Sequence, residues 1–237
     1  GLQVDLIAPG LEKMGVMIPY APLFVLIMKK LQQPVIATSG NISGSPVIYR
    51  DDKALEDLGG VADLFLINDR EIVVPQDDSV VQFSPFSQTG IILRRARGMA
   101  PGLSISRDLH MDRPVFAAGA MLKSSFGMYH EGRYYLSQYL GDTSDLDALE
   151  SYEAVASHMM KVLDFRPGEV ITDLHPDYPA TQYGDELARR LGIPARKVQH
   201  HKAHALAVMG EHGLFDEEEA LNVVWDGTGL GEDHRIW

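Results

Sequence analysis

Regular alternation of strand and helix patterns after Pro114 is what most constrains the fold. "PVFAAGAML" reads as a buried strand, and "SFGMYHEGRYYLSQYL" as a hairpin turning at Glu131-Gly132. "SDLDALESYEAVASHMMKVLDF" has the period of a long helix. Thr143 or Ser144 can cap it, and its early carboxylates favour the positive end. Then come strand "EVITDLH", helix "TQYGDELARRLG" closed by Gly192, strand "ARKVQHH", helix "HKAHALAVMGEHG", and a fresh strand and turn in "LNVVWDGTGLG". The order is β-β-β-α-β-α-β-α followed by a new β, an α/β chain.

The upstream part is richer in strands. "MGVMIPY", "PVIATSGN", "ADLFLIND", "DSVVQFS" and "GIILRRARG" read as strands, the second running into a polar loop. "APLFVLIMKKLQ" and "DDKALEDLG" read as helices, with Pro22 in the first turn of one and Gly59 ending the other. Charge divides the chain. Up to Arg107 there are 10 Lys+Arg against 11 Asp+Glu; beyond it, 11 against 22. The shift predicts two modules, residues 1–105 and 106–237, joined in "MAPGLSISRDLHMDRP". The chain opens without Met and stops just after a turn, so it reads as a piece of a longer protein.

Composition narrows the chemistry. There are no cysteines, so disulfides, thiolate zinc sites and a Cys nucleophile are excluded within the chain. Any metal must be held by His and carboxylate. Lys29 and Lys30 end the longest apolar run, "APLFVLIM", well short of a membrane span. With no signal peptide and no membrane segment, a cytoplasmic setting is expected. The acidic second module argues against nucleic acid as a partner, which needs clustered Lys and Arg.

The densest chemistry lies in "VQHHKAHALAVMGEHG". His200 and His204 are four apart, so on a helix they share a face and can converge on one ion, while His201 is expected to point elsewhere. Asp226, at the end of "LNVVWD", is a candidate third ligand. The "GTGLG" after it, with Gly227, Thr228 and Gly229, lets backbone approach an anion. The competing reading is a set of surface histidines on an amphipathic helix. In "TSGNISG" (38–44), hydroxyls and backbone N–H groups can face phosphate or carboxylate oxygens, or form a plain turn. Arg94 and Arg95 point to opposite sides of their strand, so one side of this cluster at most lines a site. Lys123 reads as a phosphate binder or a solvated turn lysine.

The motifs carry a resemblance. "MGVMIPYAPL", "TSGNISG", "DDSVV" and "ILRRARG" resemble, in order, the YrdC-like module of the HypF-type carbamoyltransferases, which serve nickel–iron hydrogenase maturation. "FAAGAMLKSSF", "YLSQYLGD", "TDLHPDY", "VQHHKAH" and "WDGTGLGED" resemble that family's carbamoyl-transfer module. That module is related to metalloproteins that transfer threonylcarbamoyl to tRNA. The family usually reads "LKNT" at Lys123-Ser124-Ser125 and "HHHAH" where Lys202 stands third.

The resemblance implies a partial YrdC-like α/β domain followed by an incomplete actin-like (ASKHA, ribonuclease H-like) domain. It places Ser39, Asn41, Ser79 and Arg94 near a nucleotide, and makes His200 and His204, the outer histidines, metal ligands. It implies ATP, Mg2+ and a divalent transition metal, Zn or Fe, as cofactors. The implied reaction passes a carbamoyl group from carbamoyl phosphate, through carbamoyl-adenylate, to the C-terminal cysteine thiol of a HypE-like acceptor. Two other readings stand beside it: an enzyme of the threonylcarbamoyl-tRNA pathway, and a non-catalytic nucleotide-binding or interaction module.

Overall fold

The computed structural model describes residues 3–12, 14–42, 47–103, 110–216 and 219–237. By compactness the chain divides after Ser39, into residues 1–39 and 40–237. The joint expected from the sequence, at 105/106, falls among residues 104–109, which lie outside those described.

The first unit carries α1 (Val4–Ile7) and α2 (Pro22–Leu31). Pro22 sits in the first turn of α2 as expected, and Gln32 closes it in a left-handed conformation at φ 50°. The expected strands "MGVMIPY" and "PVIATSGN" do not form among the described residues of this unit. A strand needs a neighbour's N–H and C=O groups along its length, and among the described residues no such ladder runs beside either stretch. Their alternating apolar side chains, such as Val16 and Ile18, stay exposed.

The second unit begins with α3 (Asp51–Leu58), followed by β1 (Val80–Phe83) and β2 (Gly90–Arg94), an antiparallel pair with Val81 opposite Ile92. The expected strand "ADLFLIND" also joins no ladder among the described residues; Leu64 and Leu66 lie in the open.

A six-stranded sheet comes next. Its strands are β3 (Gly102–Leu103), β4 (Val115–Ala117), β5 (Gly127–His130), β6 (Arg133–Leu136), β7 (Glu169–Asp173) and β8 (Ala195–Val198), in spatial order β3-β6-β5-β4-β7-β8. The pairs β3-β6, β6-β5 and β5-β4 are antiparallel, whereas β4-β7 and β7-β8 are parallel. The hairpin turns at Glu131 and Gly132, as expected, with φ of 49° and 75°. The parallel strands are linked through α4 (Leu146–Val162) and α5 (Pro179–Leu191), and α6 (His200–His212) comes after β8.

α4 is capped by Asp145, not by Thr143 or Ser144. The Asp145 carboxylate accepts from Ala148 N–H at 3.1 Å, Thr143 is buried with its hydroxyl donating to Met121 O, and Ser144 bonds Asp142. α4 and α5 share one core with the sheet. Phe116 stacks on Phe126 at 5.4 Å, and the Tyr152 ring meets both Phe126 and Tyr183 edge-on. Tyr152 is fully buried and donates its hydroxyl to Ala118 O at 2.7 Å. Gly184 of α5 lies so close to the sheet that a Cβ there would meet Thr172 Cγ2 at 2.5 Å and Ala118 Cβ at 3.1 Å.

The sheet reaches back across the expected joint through β3. Around it, Tyr139 N–H donates to Arg95 O at 2.7 Å and Gln138 Nε2 to Pro75 O at 3.1 Å. The buried apolar cluster itself spans Phe116 to Ala188, with Val74 packed against its edge.

Candidate metal centre

Parallel pairing builds the site. Asp173, the last residue of β7, lies opposite Val198, the last of β8, so the chain leaving β8 emerges beside Asp173. Gln199 stops the strand and caps α6, its Oε1 accepting from Lys202 N–H at 2.9 Å. His200 and His204 then occupy one face of the first helical turns.

His200, His204 and Asp226 come together. His200 Nε2 is 3.2 Å from His204 Nε2 and 3.2 Å from Asp226 Oδ2, and His204 Nε2 is 3.9 Å from the same oxygen. A tetrahedral ion with bonds of about 2.0–2.1 Å holds its donor atoms about 3.3 Å apart. Asp226 Oδ2 is buried and has no hydrogen-bond partner among the described residues. An unsatisfied buried carboxylate oxygen is costly, and a cation between it and the two imidazoles removes that cost. The residues therefore fit a divalent ion.

The surroundings add what the spacing does not reveal. His200 Nδ1 lies 2.6 Å from Asp173 Oδ2, and Asp173 Oδ1 accepts from His175 N–H at 2.8 Å. Asp173 has one sequence signal, a carboxylate closing a buried strand before "LHPDY". Tyr178 stacks on His175 at 4.3 Å and meets the His200 ring edge-on. Burial, with the charges of Asp173 and Asp226 behind it, raises the Tyr178 hydroxyl above its ordinary range.

His201 does not turn away as the helical spacing suggests. Its Nε2 is 3.8 Å from Asp226 Oδ2, and its ring stacks on Trp237. The reason is that Asp226 arrives over the start of the helix, where the rings of consecutive residues reach it from two sides. Lys202 leaves that cluster to pair with Glu232.

The expected strand "LNVVWD" has no ladder among the described residues, and Leu221 and Trp225 are almost fully exposed. The turn after it does form. Leu230 bridges Ile236, and Trp237 N–H donates to Gly229 O at 3.0 Å. Gly229 lies against His201, where a Cβ would overlap the ring, while Gly227 and Thr228 are exposed.

The other candidates lie apart from this cluster in the chain. Lys123 is exposed in a left-handed turn, φ 48°. Ser79 joins backbone, its hydroxyl donating to Arg97 O and accepting from Ala96 N–H, each at 2.9 Å. Arg94 donates to Asp78 O at 2.9 Å and pairs with Asp77 at 3.4 Å, whereas Arg95 donates to the carbonyls of Met99 and Gly102. The two arginines thus serve different partners, as their alternation predicts. Ser39 ends the first unit, exposed, and half-buried Asn41 lies in the second, its Nδ2 donating to Ile42 O. Ser43 and Gly44 of the same loop lie outside the described residues.

Comparison with known proteins bears on the whole chain. Residues 110–211 match the family described as "HypF Kae1-like domain", and residues 3–96 match the YrdC-type family described as "Telomere recombination". The carbamoyltransferase HypF of Synechocystis sp. is 42% identical over 234 residues, which is 99% of this chain and 30% of that protein. Among solved structures, HypF from T. kodakarensis superposes with a TM-score of 0.84 at 35% identity, covering 98% of this chain and 30% of that one. A full-length HypF in its phosphate- and nucleotide-bound form gives 0.81 at 36% identity, over 94% and 34%. The chain thus spans about a third or less of these relatives. It is a HypF-type sequence of mixed α/β fold, belonging to the part of that family where a YrdC-like region is followed by the Kae1-like domain.

Proposed function

We propose that this chain supplies the metal-bearing acyl-transfer region of a HypF-type carbamoyltransferase acting in hydrogenase maturation. The observation that carries the reading is the convergence of His200, His204 and Asp226 around Asp226 Oδ2, which has no hydrogen-bond partner among the described residues. A divalent transition ion, Zn or Fe, held there supplies a fixed positive charge for an anionic ligand.

The chain's own residues do the rest. His200 and His204 present ring nitrogens from the first turns of α6, and Asp173 holds His200 in place. Gly227 and Thr228 come directly after Asp226 and are exposed, leaving backbone open to phosphate oxygens, whereas Gly229 packs against His201; Lys123 is a further phosphate-binding candidate. The nucleotide-bound form of a similar full-length HypF supports a nucleotide as ligand. For Ser39, Asn41, Ser79 and Arg94 the nucleotide role rests on the family resemblance.

In the whole protein, carbamate derived from carbamoyl phosphate attacks the α-phosphorus of Mg2+-bound ATP. Carbamoyl-adenylate forms and pyrophosphate leaves. The C-terminal cysteine thiolate of a HypE-like partner then attacks the carbamoyl carbon and AMP leaves. The test is carbamoylation of a HypE-like C-terminal cysteine by the full-length protein with ATP and carbamoyl phosphate. His204→Ala should lower the rate at least about 100-fold, as removal of a group that positions the reacting centre does. Transfer at the wild-type rate by that variant, or modification of tRNA instead of the cysteine, would overturn the reading.

A further inference from the structure

We propose that His200 and His201 are locked in opposite ring tautomers, with Asp173 and Gln199 as the positioning residues that set them. His200 then offers a lone pair to the metal, while His201 keeps its Nε2 protonated and does not ligate. The proposal deepens the metal reading and rests on it.

The hydrogen bonds leave one assignment for each ring. Asp173 is a carboxylate and only accepts, so His200 Nδ1, 2.6 Å from its Oδ2, carries the proton. The lone pair of neutral His200 is therefore on Nε2, the atom facing His204 and Asp226. Turning the ring over would lose the contacts at both nitrogens.

Gln199 fixes His201 the other way. A backbone N–H only donates and a carbonyl only accepts. With Oε1 held by Lys202 N–H and Nε2 donating to Leu230 O at 3.1 Å, the amide cannot be flipped. Its second amide hydrogen points at His201 Nδ1, 2.8 Å away, so that nitrogen is the acceptor. Neutral His201 then carries its proton on Nε2, 3.8 Å from Asp226 Oδ2. Such a nitrogen cannot ligate, so two adjacent histidines around one carboxylate have different roles. Gln199, buried and bonded to Leu230, also ties the start of α6 to the glycine-rich turn.

The tautomers are read directly from long-range 1H–15N ring correlations of the full-length protein, His-labelled and stripped of metal, at about pH 8.5, where free imidazole is neutral. His200→Ala and His201→Ala assign the signals. The expected pattern is Nδ1–H for His200 and Nε2–H for His201. An Nε2–H signal from His200, or Nδ1–H from His201, overturns the proposal.

A second measurement uses the zinc site lost in His204→Ala. In Asp173→Asn, the amide oxygen stays on His175 N–H and its NH2 group faces His200 Nδ1, which moves the ring proton to Nε2. In Asp173→Ala the ring is free to choose. Zinc affinity should therefore fall at least about 100-fold in Asp173→Asn and only about 10-fold in Asp173→Ala, spanning the range typical of outer-shell changes. Equal losses would make Asp173 merely structural and overturn its part. If wild type binds no zinc at this site, the metal reading fails, while the ring correlations still decide the tautomers.

Discussion

Single residues decide how much room and which proton each ring has. Gly229 lies against His201 with no space for a methyl group, so Gly229→Ala must displace the ring or the turn. It is expected to lower zinc affinity about 10-fold, in line with other outer-shell changes, as measured by competition with a chromophoric chelator. Unchanged affinity would mean that the packing of Gly229 on His201 has no part in shaping the site. At this scale the sequence is informative about ligands and silent about their supports. The i, i+4 spacing of His200 and His204 is a property of any helix, so it can be read from sequence. Asp173 reaches His200 only because β7 and β8 pair with Asp173 opposite Val198, and register between distant strands leaves no mark on spacing. His201 departs from the helical expectation for a related reason: helical period says which side a residue leaves from, not what arrives over the helix start.

Elements are legible where their pattern carries its own partner. The hairpin at Glu131 and Gly132 and the helices α4 and α5 encode both sides of a local contact. The stretches 14–20, 34–41, 62–69 and 221–226 show apolar content suited to strands, yet pairing needs a neighbour that local sequence does not name. The cap of α4 lies one residue beyond Ser144, at Asp145, a choice among three adjacent polar side chains. Asp145→Ala should lower stability by about 0.5–2 kcal/mol, the usual range for a lost N-cap. Gly184→Ala should cost about 1–3 kcal/mol, because the new methyl pushes α5 off β7. Both are checked by chemical denaturation monitored by far-UV circular dichroism. A Gly184→Ala variant as stable as wild type would mean that the helix seats on the sheet less closely than described.

Over the whole molecule, the buried core of Phe116 to Ala188 sets the pH range in which the fold persists. Burial raises the Tyr152 hydroxyl well above its ordinary value, with Tyr183 a smaller cause. The unfolded chain therefore loses this proton first. The resulting stability is fully present below about pH 10 and is lost as pH rises from there toward the folded value. Tyr152→Phe should be less stable than wild type at pH 8, by about 1–3 kcal/mol for the unsatisfied Ala118 carbonyl, and its stability should decline less steeply above pH 10. Equal alkaline slopes for the two proteins, monitored by near-UV circular dichroism, would assign the transition to other groups.

The same core presents the ends of β7 and β8, beside which His200, His204 and Asp226 gather. Whether they hold an ion is read from the metal content of the full-length protein after equilibration with zinc and removal of free ion. His204→Ala is predicted to hold one equivalent less than wild type, and His201→Ala to hold the same number. Equal content in wild type and His204→Ala would rule out a metal centre here and leave the histidines as surface groups at the start of a helix.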